Sequence, residues 1–378
     1  MSSDDSQPGT VNLKQETNTA KANFNGNPAK IKIIGLGGSG GNAVTRMIHE
    51  EIRGVEFIIM NTDSQSLALS EAPVRIQLGE KLTKGLGTGG DHVLGRMAAE
   101  ESCNEITEVV SGADLVFITC GMGGGTGTGA ASFVAEIARK SGILTIAVVS
   151  KPFTFEGQHR CEMANIGIID LFGKVDTMII VPNDRLLAFC NHNIGIEEAF
   201  QIADDVLKNN ILAITEVLNT PGIINLDFAD IRAIMKDAGP AWASIGIGSG
   251  PNRAVKAAHS ALASPLLDVS IDGATRVLFN IVANNLTLYE IDEAAEIIKQ
   301  AVALEANIIF GVAVDPNMDD NEMKITLIAT GFVNNNELSG SRDNEELAKL
   351  LIGSKQSENM LDIPSFQNDS KLSQQLQD

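Results

Sequence analysis

The first feature that could do chemistry is a glycine-rich stretch at 121–129, which reads GMGGGTGTG. It lies between the apolar run 115–120 and the helical pattern 130–136, an order typical of strand, loop and helix. Glycines allow close backbone approach and positive φ, so several N–H groups can converge on one phosphate, and the following helix adds its positive N-terminal end. A ligand-free turn would need fewer glycines. We predict a phosphate-binding loop formed by Gly121, Gly123, Gly124, Gly125, Thr126, Gly127, Thr128 and Gly129.

A second glycine cluster follows the predicted strand 31–34 and precedes the helical pattern 43–48. Its G-x-G-x-x-G spacing is the dinucleotide fingerprint, and Asp63, behind a further strand at 55–60, stands where a ribose-binding acid is expected. An NAD-dependent dehydrogenase is therefore an alternative function, and close helix–strand packing is an alternative structural role. The candidate ligand residues are Gly37, Gly38, Ser39, Gly40, Gly41 and Asn42.

A third cluster, at 84–91, follows the short predicted strand 74–78 and contributes Gly87, Thr88 and Gly89. A dinucleotide fold needs one glycine-rich turn for its pyrophosphate, whereas three such turns indicate a longer phosphate chain wrapped by several loops. The motif G-x-x-x-x-G-K-[ST] does not occur in the sequence, which excludes a Walker-type NTPase.

The elements that must position these loops alternate between strand and helix. Further strands are predicted at 144–150 and 177–181, the second ending in a Pro-Asn-Asp turn signal that contains Asn183. This alternation predicts a doubly wound parallel sheet over about residues 29–192, with all the glycine loops at the carboxyl edge of the sheet. Glu156 and Arg160 follow one of these strands four residues apart, a spacing that alone indicates an ordinary surface ion pair.

A long helical pattern at 197–218 carries one apolar stripe and ends before a Pro-Gly pair. At 1.5 Å per residue it would span roughly 33 Å, long enough to connect two domains. Beyond it, residues 241–331 predict a second α/β domain with a smaller mixed sheet, including helices near 253–263 and 291–304. Between the two, Asn225, Asp227 and Asp230 stand at a helix entry, where capping of the helix is a role as plausible as chemistry.

Composition excludes several classes of function. The 378 residues carry a net charge of −20, which argues against a nucleic-acid backbone as partner, and aromatics make up only 4%. The sequence contains no apolar run near the ~20 residues of a membrane helix, and no apolar signal core stands at its start. The four cysteines and five histidines lack metal-ligand spacing, so we assign no protein metal site and expect reduced thiols in the cytoplasm.

The GGGTGTG loop, the two other glycine loops in this order, the long helix and the NLDFADI segment at 225–231 together resemble the tubulin/FtsZ superfamily, and most closely bacterial FtsZ. The resemblance covers about residues 30–333. It implies that Gly38–Asn42 and Gly125–Gly127 contact the phosphates of GTP. It also implies that Glu156 and Arg160 hold the ribose and phosphate region, that Asp204 binds guanine, and that Asn183 and Phe200 belong to the same site.

The resemblance further implies that Asn225, Asp227 and Asp230 enter the nucleotide site of the next subunit. The expected protein is then a GTPase that polymerises head to tail into the filaments of the bacterial division ring, with Mg²⁺ carried by the nucleotide phosphates. A non-hydrolysing structural relative is a third class, which the presence of all three residues disfavours. Two departures from the family pattern are Ser39, within a glycine run that is often unbroken, and the lack of Asn-Pro after Thr88.

The apolar island at 361–366 resembles the family's C-terminal peptide, which binds membrane tethers such as FtsA, although basic residues do not follow Phe366. We therefore expect the protein at midcell, on the inner face of the membrane and without direct insertion. The predicted organisation is a disordered N-terminal arm (1–28), a GTP-binding domain (29–196), a central helix (197–220), a C-terminal GTPase-activating domain (221–333), a flexible linker (334–360) and a partner-binding tail (361–378).

Overall fold

The computed structural model describes residues 29–50, 52, 54–187, 194–219, 222–263 and 271–332. The predicted N-terminal arm, linker and partner-binding tail lie outside these residues. Cys190 lies outside them as well, whereas Cys103, Cys120 and Cys161 are free thiols.

The N-terminal part is built on six parallel strands in the order β3-β2-β1-β4-β5-β6. The chain first adds strands outward from β1 and then returns to add β4, β5 and β6 on its other side. The order therefore reverses between β1 and β4, which is where open α/β sheets bind ligands. The strands are β1 (Ile31–Leu36), β2 (Val55–Asn61), β3 (Val74–Gln77), β4 (Leu115–Gly121), β5 (Leu144–Lys151) and β6 (Thr177–Pro182).

Helices cover both faces of this sheet, as the doubly wound prediction requires. One face packs on α1 and the long helix α9 (Ile196–Asn219), and the other packs on α4, α5, α6 and α7. Because both faces are covered, β4 is an uninterrupted run of apolar and small side chains, buried over its first six residues. The helices of this part are α1 (Gly37–Ile48), α2 (Ser64–Leu69), α3 (Glu80–Thr83), α4 (His92–Glu101), α5 (Cys103–Val110), α6 (Gly125–Lys140), α7 (Gln158–Phe172) and α8 (Asn183–Leu187).

The predicted turn after β6 is wrong in one respect, because Asn183 begins the short helix α8 instead of a turn. The predicted central helix is confirmed: α9 spans Ile196–Asn219, 24 residues, or about 36 Å. Its stripe is buried at Ala203, Leu207, Ile211 and Ile214, whereas Phe200, at the start of the stripe, is 39% exposed. The segment beyond α9 leads into α10 (Phe228–Met235).

The C-terminal part contains the predicted mixed sheet. Strand β10 pairs antiparallel with both β7 and β8, and β8 pairs parallel with β9. The last helix begins earlier than predicted because Thr287 and Glu290 form a reciprocal capping box, and it ends at Gln300. The elements are β7 (Gly239–Ser249), α11 (Arg253–Leu262), β8 (Arg276–Ala283), α12 (Leu288–Gln300), β9 (Asn307–Val314) and β10 (Glu322–Thr330).

Strand pairing connects the two sheets in addition to the central helix. The first two residues of β6 pair with the first two of β7, Thr177 with Gly239 and Met178 with Pro240, so the ten strands form one continuous sheet. Asp176 reinforces the junction, since its carbonyl accepts the N–H groups of Ala238 and Gly239. This pairing spans only two residues, a length that hydrophobic patterning does not predict.

The C-terminal part is held together by a buried ion pair. The Arg253 guanidinium donates to both carboxylate oxygens of Glu290, at 2.7 and 3.1 Å, and also to the carbonyls of Asn285, Asp320 and Glu322. The hydrogen bonds from Arg253 lower the pKa of Glu290 to about 2. One side chain thereby joins the starts of α11, α12 and β10.

We predict that Arg253→Ala lowers the free energy of unfolding by about 3–5 kcal/mol, because it leaves the Glu290 carboxylate and several carbonyls without their donor. Urea unfolding monitored by circular dichroism measures this loss. Lys256→Ala, on the same helix, removes only an exposed bond to the Ser249 carbonyl and should change stability by about 0.5 kcal/mol or less. Equal losses in the two variants would contradict the role of Arg253.

Candidate functional site

The helices after β1 and β4 begin inside the glycine runs, earlier than the sequence patterns predicted. Helix α1 starts at Gly37 and α6 at Gly125, so glycine N–H groups form the first turn of each. The N-cap residues, Leu36 and Gly124, provide no side-chain hydrogen bond to these groups. Two helix N-termini with uncapped N–H donors therefore stand side by side at the point where the strand order reverses, which is a favourable arrangement for an anion.

The glycine loops after β1 and β4 touch each other. Gly37 has a φ of +68°, and a Cβ at this position would lie 3.2 Å from the Gly127 nitrogen. A Cβ at Gly121 would lie 2.8 Å from the Ser39 hydroxyl oxygen. Ser39, the departure from an unbroken glycine run, thus fills space beside the neighbouring loop.

The third glycine loop joins the same group through hydroxyls. The Thr126 hydroxyl lies 2.6 Å from that of Thr62 and 3.5 Å from that of Thr88, and a Cβ at Gly125 would collide with Thr88. Gly87 and Gly89 have φ values of +79° and +59°, which favour glycine. The structure therefore brings all three predicted loops together.

The glycines divide into two groups by their surroundings. A Cβ at Gly40 or Gly129 would collide with the backbone, at the Thr119 and His92 carbonyls respectively, so these glycines permit close packing of α1 on β4 and of α6 on α4. A Cβ at Gly38 or Gly124 would meet no atom within 4 Å. Thr128 is buried and its hydroxyl accepts the Gly123 N–H at 2.9 Å, which braces the loop from inside. The open positions are thus the ones that leave room for a ligand.

A cavity of about 590 Å³ lies beside α1 and α2 and opens next to the first loop. Gly37, Gly38, Gly41, Asn42 and Asp204, all predicted site residues, line it. Residues that the sequence analysis missed also line it, among them Thr45, Arg46 and Asn61. Two signals could have found them: Thr45 and Arg46 follow Asn42 at helical spacing, and Asn61 is a polar residue at the carboxyl end of a strand.

Asp204 is the carboxylate in the lining of this cavity. It is 7% exposed, and the Nε of Arg46 lies 3.8 Å from its carboxylate. Burial raises the pKa of Asp204 to about 7, an effect that Arg46 opposes and Asp205 reinforces. A buried carboxylate of this kind is suited to accept two adjacent N–H groups of a ligand.

Aromatic and amide groups lie where β5 and β6 end. Phe200 meets the rings of Phe153 and Phe155 edge-on, with centroids 5.5 and 6.3 Å apart. Asn183 is buried, and its side-chain oxygen has no hydrogen-bond partner among the described residues. An acceptor without a partner is costly when buried, so this oxygen is a fitting place for a ligand donor.

Glu156 and Arg160 form the ion pair that their spacing predicts, with 3.1 Å between the Arg160 Nε and a Glu156 oxygen. The other Glu156 oxygen accepts the Phe153 N–H at 2.8 Å. The pair also stands against the phosphate loop, because a Cβ at Gly123 would lie 2.8 Å from the Arg160 Cγ. Glu156 and Arg160 can therefore form an ion pair at the surface and also belong to the predicted site.

The predicted catalytic residues Asn225, Asp227 and Asp230 lie away from the glycine loops. The Asp227 carboxylate accepts the Asp230 N–H and the Asp230 carboxylate accepts the Asp227 N–H, each at 3.0 Å, so the capping role is confirmed. Helix α10, which they cap, contacts the amino ends of β5 and β6: Arg232 donates to the Gly142 carbonyl, and the Met235 carbonyl accepts from Thr177. The three predicted catalytic residues are thus near the edge of the sheet opposite the glycine loops.

Asp63, the acid of the dehydrogenase alternative, has a structural role. It is the N-cap of α2 and accepts the Gln65 N–H at 2.9 Å and the Ser66 hydroxyl at 2.7 Å. Within the described ranges, His, Cys, Asp and Glu nowhere gather in a group of three or more that could hold a metal. Among the same residues, every helix is too short or too polar to cross a membrane.

Three glycine loops meet at one edge of the sheet, and two of them open helices whose N-termini have no side-chain cap. A buried carboxylate and an aromatic wall formed by Phe153, Phe155 and Phe200 lie nearby. This arrangement defines an α/β protein that binds a nucleotide through its phosphates. Residues 30–191 match the model of the Tubulin/FtsZ family, GTPase domain, and residues 239–333 match that of the FtsZ family, C-terminal domain. The chain therefore belongs to the FtsZ family, and it is a GTPase.

Solved structures agree with this assignment. An FtsZ dimer from M. jannaschii, described as empty, is 42% identical with a TM-score of 0.76, over 81% of this chain and 89% of its own. The GDP-bound monomer of CetZ1 from Haloferax volcanii is 19% identical with a TM-score of 0.71, over 85% of this chain and 98% of its own, and shows the shared fold alone. The predicted fold class and family are confirmed, and the dehydrogenase alternative is wrong.

We predict opposite effects of alanine substitution in the two groups of glycines. Gly129→Ala should cost about 1–3 kcal/mol of folding free energy, because its methyl group collides with the α4 backbone. Gly38→Ala should keep or slightly raise stability, since the methyl group enters open space on a helix, but weaken GTP binding by about tenfold. Thermal unfolding without nucleotide and titration with GTP measure the two effects. A stable Gly129→Ala protein, or a Gly38→Ala protein with unchanged affinity, would contradict the division.

The raised pKa of Asp204 predicts a pH-dependent stability. Because its folded pKa lies above the ordinary value of 3.8, ionising Asp204 in the folded state costs stability as pH rises toward and through about 7. Asp204→Asn removes this cost, so its melting temperature relative to wild type should increase between about pH 4 and about pH 7 and then stay constant in nucleotide-free protein. The exposed Asp292→Asn is the control. A difference for Asp204→Asn that is the same at all pH values would contradict the burial of an ionising group.

Proposed function

We propose that the chain binds GTP along the carboxyl edge of the parallel sheet and hydrolyses it only where two copies meet head to tail. The observation that carries this proposal is the separation of the two sets of residues. The glycine loops stand at the carboxyl ends of the strands, and α10, with its capping aspartates, packs at the amino ends of β5 and β6. Eight-residue strands such as β5 span about 26 Å, so one copy does not bring the two sets together.

The phosphates are proposed to lie on the first turns of α1 and α6, where Gly38 and Gly124 leave open space. Gly37–Asn42 and Gly121–Gly129 would direct N–H groups at them, and Gly87–Gly89 would close the third side. Although the chain carries a net charge of −20, two helix N-termini create a locally positive site. This is the cradle that a chain of three phosphates requires.

Mg²⁺ would be carried mainly by the phosphate oxygens. The described residues contain no carboxylate and histidine cluster for it, and the hydroxyls of Thr88 and Thr126 are the protein oxygens that the loops offer. When bound, such an ion neutralises charge on the transferring phosphoryl group.

Guanine and ribose are proposed to lie between the first loop and the aromatic wall. The Asp204 carboxylate would accept the paired N–H groups of guanine, and the side-chain oxygen of Asn183, which has no partner among the described residues, would accept a further donor. Phe200 would contact the base, and Glu156 with Arg160 would hold the ribose and phosphate region.

Hydrolysis requires an aligned water and neutralised charge more than covalent help from the protein. The cap uses one oxygen of Asp227 and one of Asp230, and the other oxygen of each carboxylate takes no part in it. These oxygens, with Asn225 as an orienting group, would position the water on the GTP of the neighbouring subunit. The capping box then has two roles, because it starts α10 and sets the direction of both carboxylates.

Such a contact joins two different surfaces at opposite edges of the sheet, so it can repeat from copy to copy and lead to a filament. Exposed apolar residues near both surfaces support this contact. Leu69 and Leu86, near the carboxyl edge, are each 86% exposed. Ile223, in the segment 222–230 that carries Asn225, Asp227 and Asp230 (the acidic segment), is 75% exposed. Related proteins also assemble, since the M. jannaschii structure is a dimer and CetZ2 from Haloferax volcanii, 17% identical with a TM-score of 0.68, is a GTPgS-bound protofilament.

In the cell, we propose that these filaments form the division ring at midcell, on the inner face of the membrane. The predicted tail at 361–366 would bind a tether such as FtsA, and the predicted linker at 334–360 would set its reach. The proposed division into a GTP-binding domain (29–196), a central helix (197–220) and a GTPase-activating domain (221–333) follows the two halves of the active site.

The test is GTP turnover per subunit, measured against protein concentration with Mg²⁺. Specific activity should be near zero in dilute protein and rise above a threshold concentration. Asp230→Asn, whose amide oxygen can still accept the Asp227 N–H, should keep the helix cap and GTP affinity but lower turnover by about 10²-fold or more. Asp230→Ala should add a loss of stability of about 1 kcal/mol from the cap.

Two results would contradict the proposal. Activity per subunit that does not depend on concentration would mean that the site is complete within one copy. An Asp230→Asn protein with wild-type turnover would mean that this carboxylate does not position the water.

A further inference from the structure

We propose that Asp184 is a positioning residue for the nucleotide site, which acts through Thr154 to set the turn that presents Glu156 and the aromatic wall. This inference rests on the proposed function, in which Glu156, Arg160 and Phe200 hold GTP. Neither the glycine loops nor the cavity beside α1 contains Asp184, and the sequence analysis assigned it only a turn.

Asp184 makes a two-pronged contact with Thr154, 30 residues earlier in the chain. One carboxylate oxygen accepts the Thr154 N–H at 2.8 Å, and the other accepts the Thr154 hydroxyl at 2.5 Å. Asp184 is the second residue of α8 and directly follows Asn183, whose side-chain oxygen has no partner in the part of the chain that the structure describes. The contact therefore ties the segment after β5 to the segment after β6, at the carboxyl edge of the sheet.

Thr154 is the first residue of a 3₁₀ helix of one turn, Thr154–Glu156. From within the turn, Glu156 accepts the Phe153 N–H and pairs with Arg160. So short a turn has little intrinsic stability, since it contains few hydrogen bonds. Both donors of Thr154 bond to the one carboxylate, so Asp184 is one of the contacts that fix the turn and, with it, the Glu156 carboxylate.

The same turn also places an aromatic group. Phe155 is 56% exposed, stacks on the buried Phe153 with centroids 4.9 Å apart, and meets Phe200 edge-on. Aromatics are only 4% of the chain, yet three rings gather here. Because Phe155 lies within the turn, a displaced turn would change the support of Phe200 as well as the position of Glu156.

A half-buried lysine lies near Asp184. Burial lowers the pKa of Lys151, the last residue of β5, an effect that Cys161 and Asp184 oppose. Asp184 itself touches no predicted phosphate residue, so its effect should fall on nucleotide affinity and not on the hydrolytic step.

The test uses full-length Asp184→Ala, Thr154→Val and the double variant. Asp184→Ala, which removes both hydrogen bonds, should weaken GTP binding by about tenfold, and Thr154→Val, which keeps the N–H bond to Asp184, by about threefold. In both variants, turnover at saturating GTP in filaments should stay within about twofold of wild type. The double variant should be no weaker than Asp184→Ala alone, because both changes break the same contact. Asp315→Ala, which removes a similar carboxylate bond to a backbone N–H in a distant turn, is the control and should bind GTP like wild type.

A second readout separates positioning from general loosening of the structure. Wild type should bind GTP more tightly than 2′-deoxy-GTP if Glu156 holds the ribose, and this preference should shrink in Asp184→Ala and Thr154→Val. Additive losses in the double variant, or a preserved preference with weaker binding of both nucleotides, would overturn the inference. If Asp184→Ala does not fold, Thr154→Val alone decides, because it keeps the volume of the side chain and loses only the hydroxyl.

Failure of this inference and failure of the proposed function give different results. Glu156→Gln tests the assignment of Glu156 directly. If Glu156→Gln weakens GTP binding while Asp184→Ala and Thr154→Val do not, only the positioning role is wrong. If Glu156→Gln leaves GTP affinity unchanged, the assignment of Glu156 to the nucleotide fails and the inference fails with it.

Discussion

Parallel strands place all their carboxyl ends at one edge of a sheet, and the rest of this structure depends on that constraint. It gathers three glycine loops that are far apart in sequence, and it sets two helix N-termini beside each other without side-chain caps. The same constraint sends α10 and its carboxylates to the opposite edge. In the proposed mechanism the two half-sites stand at opposite edges of the sheet, so a second copy would be needed and hydrolysis would depend on assembly.

The central helix connects these two edges. Asp204, early in α9, reaches the cavity beside α1, whereas Asn219, its last residue, stands near Gly54 before β2. The pairing of β6 with β7 adds a second connection, so the C-terminal sheet is continuous with the N-terminal one. Both α9 and the pairing of β6 with β7 therefore connect the acidic segment to the nucleotide site.

Much of this could be predicted from the sequence, and the exceptions have physical causes. Apolar periodicity predicted the six parallel strands and α9 to within two residues at each end, because burial on both faces leaves a strong pattern. The starts of α1 and α6 were missed, since glycine is read as a helix breaker although here its N–H groups open the helix. The β6–β7 pairing and Asp184 were missed because each depends on a contact between distant segments that local pattern does not encode.

The central claim, an active site shared between two copies, is tested most directly by mixing two inactive variants. Gly38→Trp would fill the open phosphate position but keep the acidic segment, and Asp230→Asn would do the reverse. In mixed filaments, roughly a quarter of contacts would join an intact nucleotide site to an intact acidic segment, so an equimolar mixture should regain GTPase activity. If both variants sediment together in filaments and activity stays at zero, the shared site is contradicted.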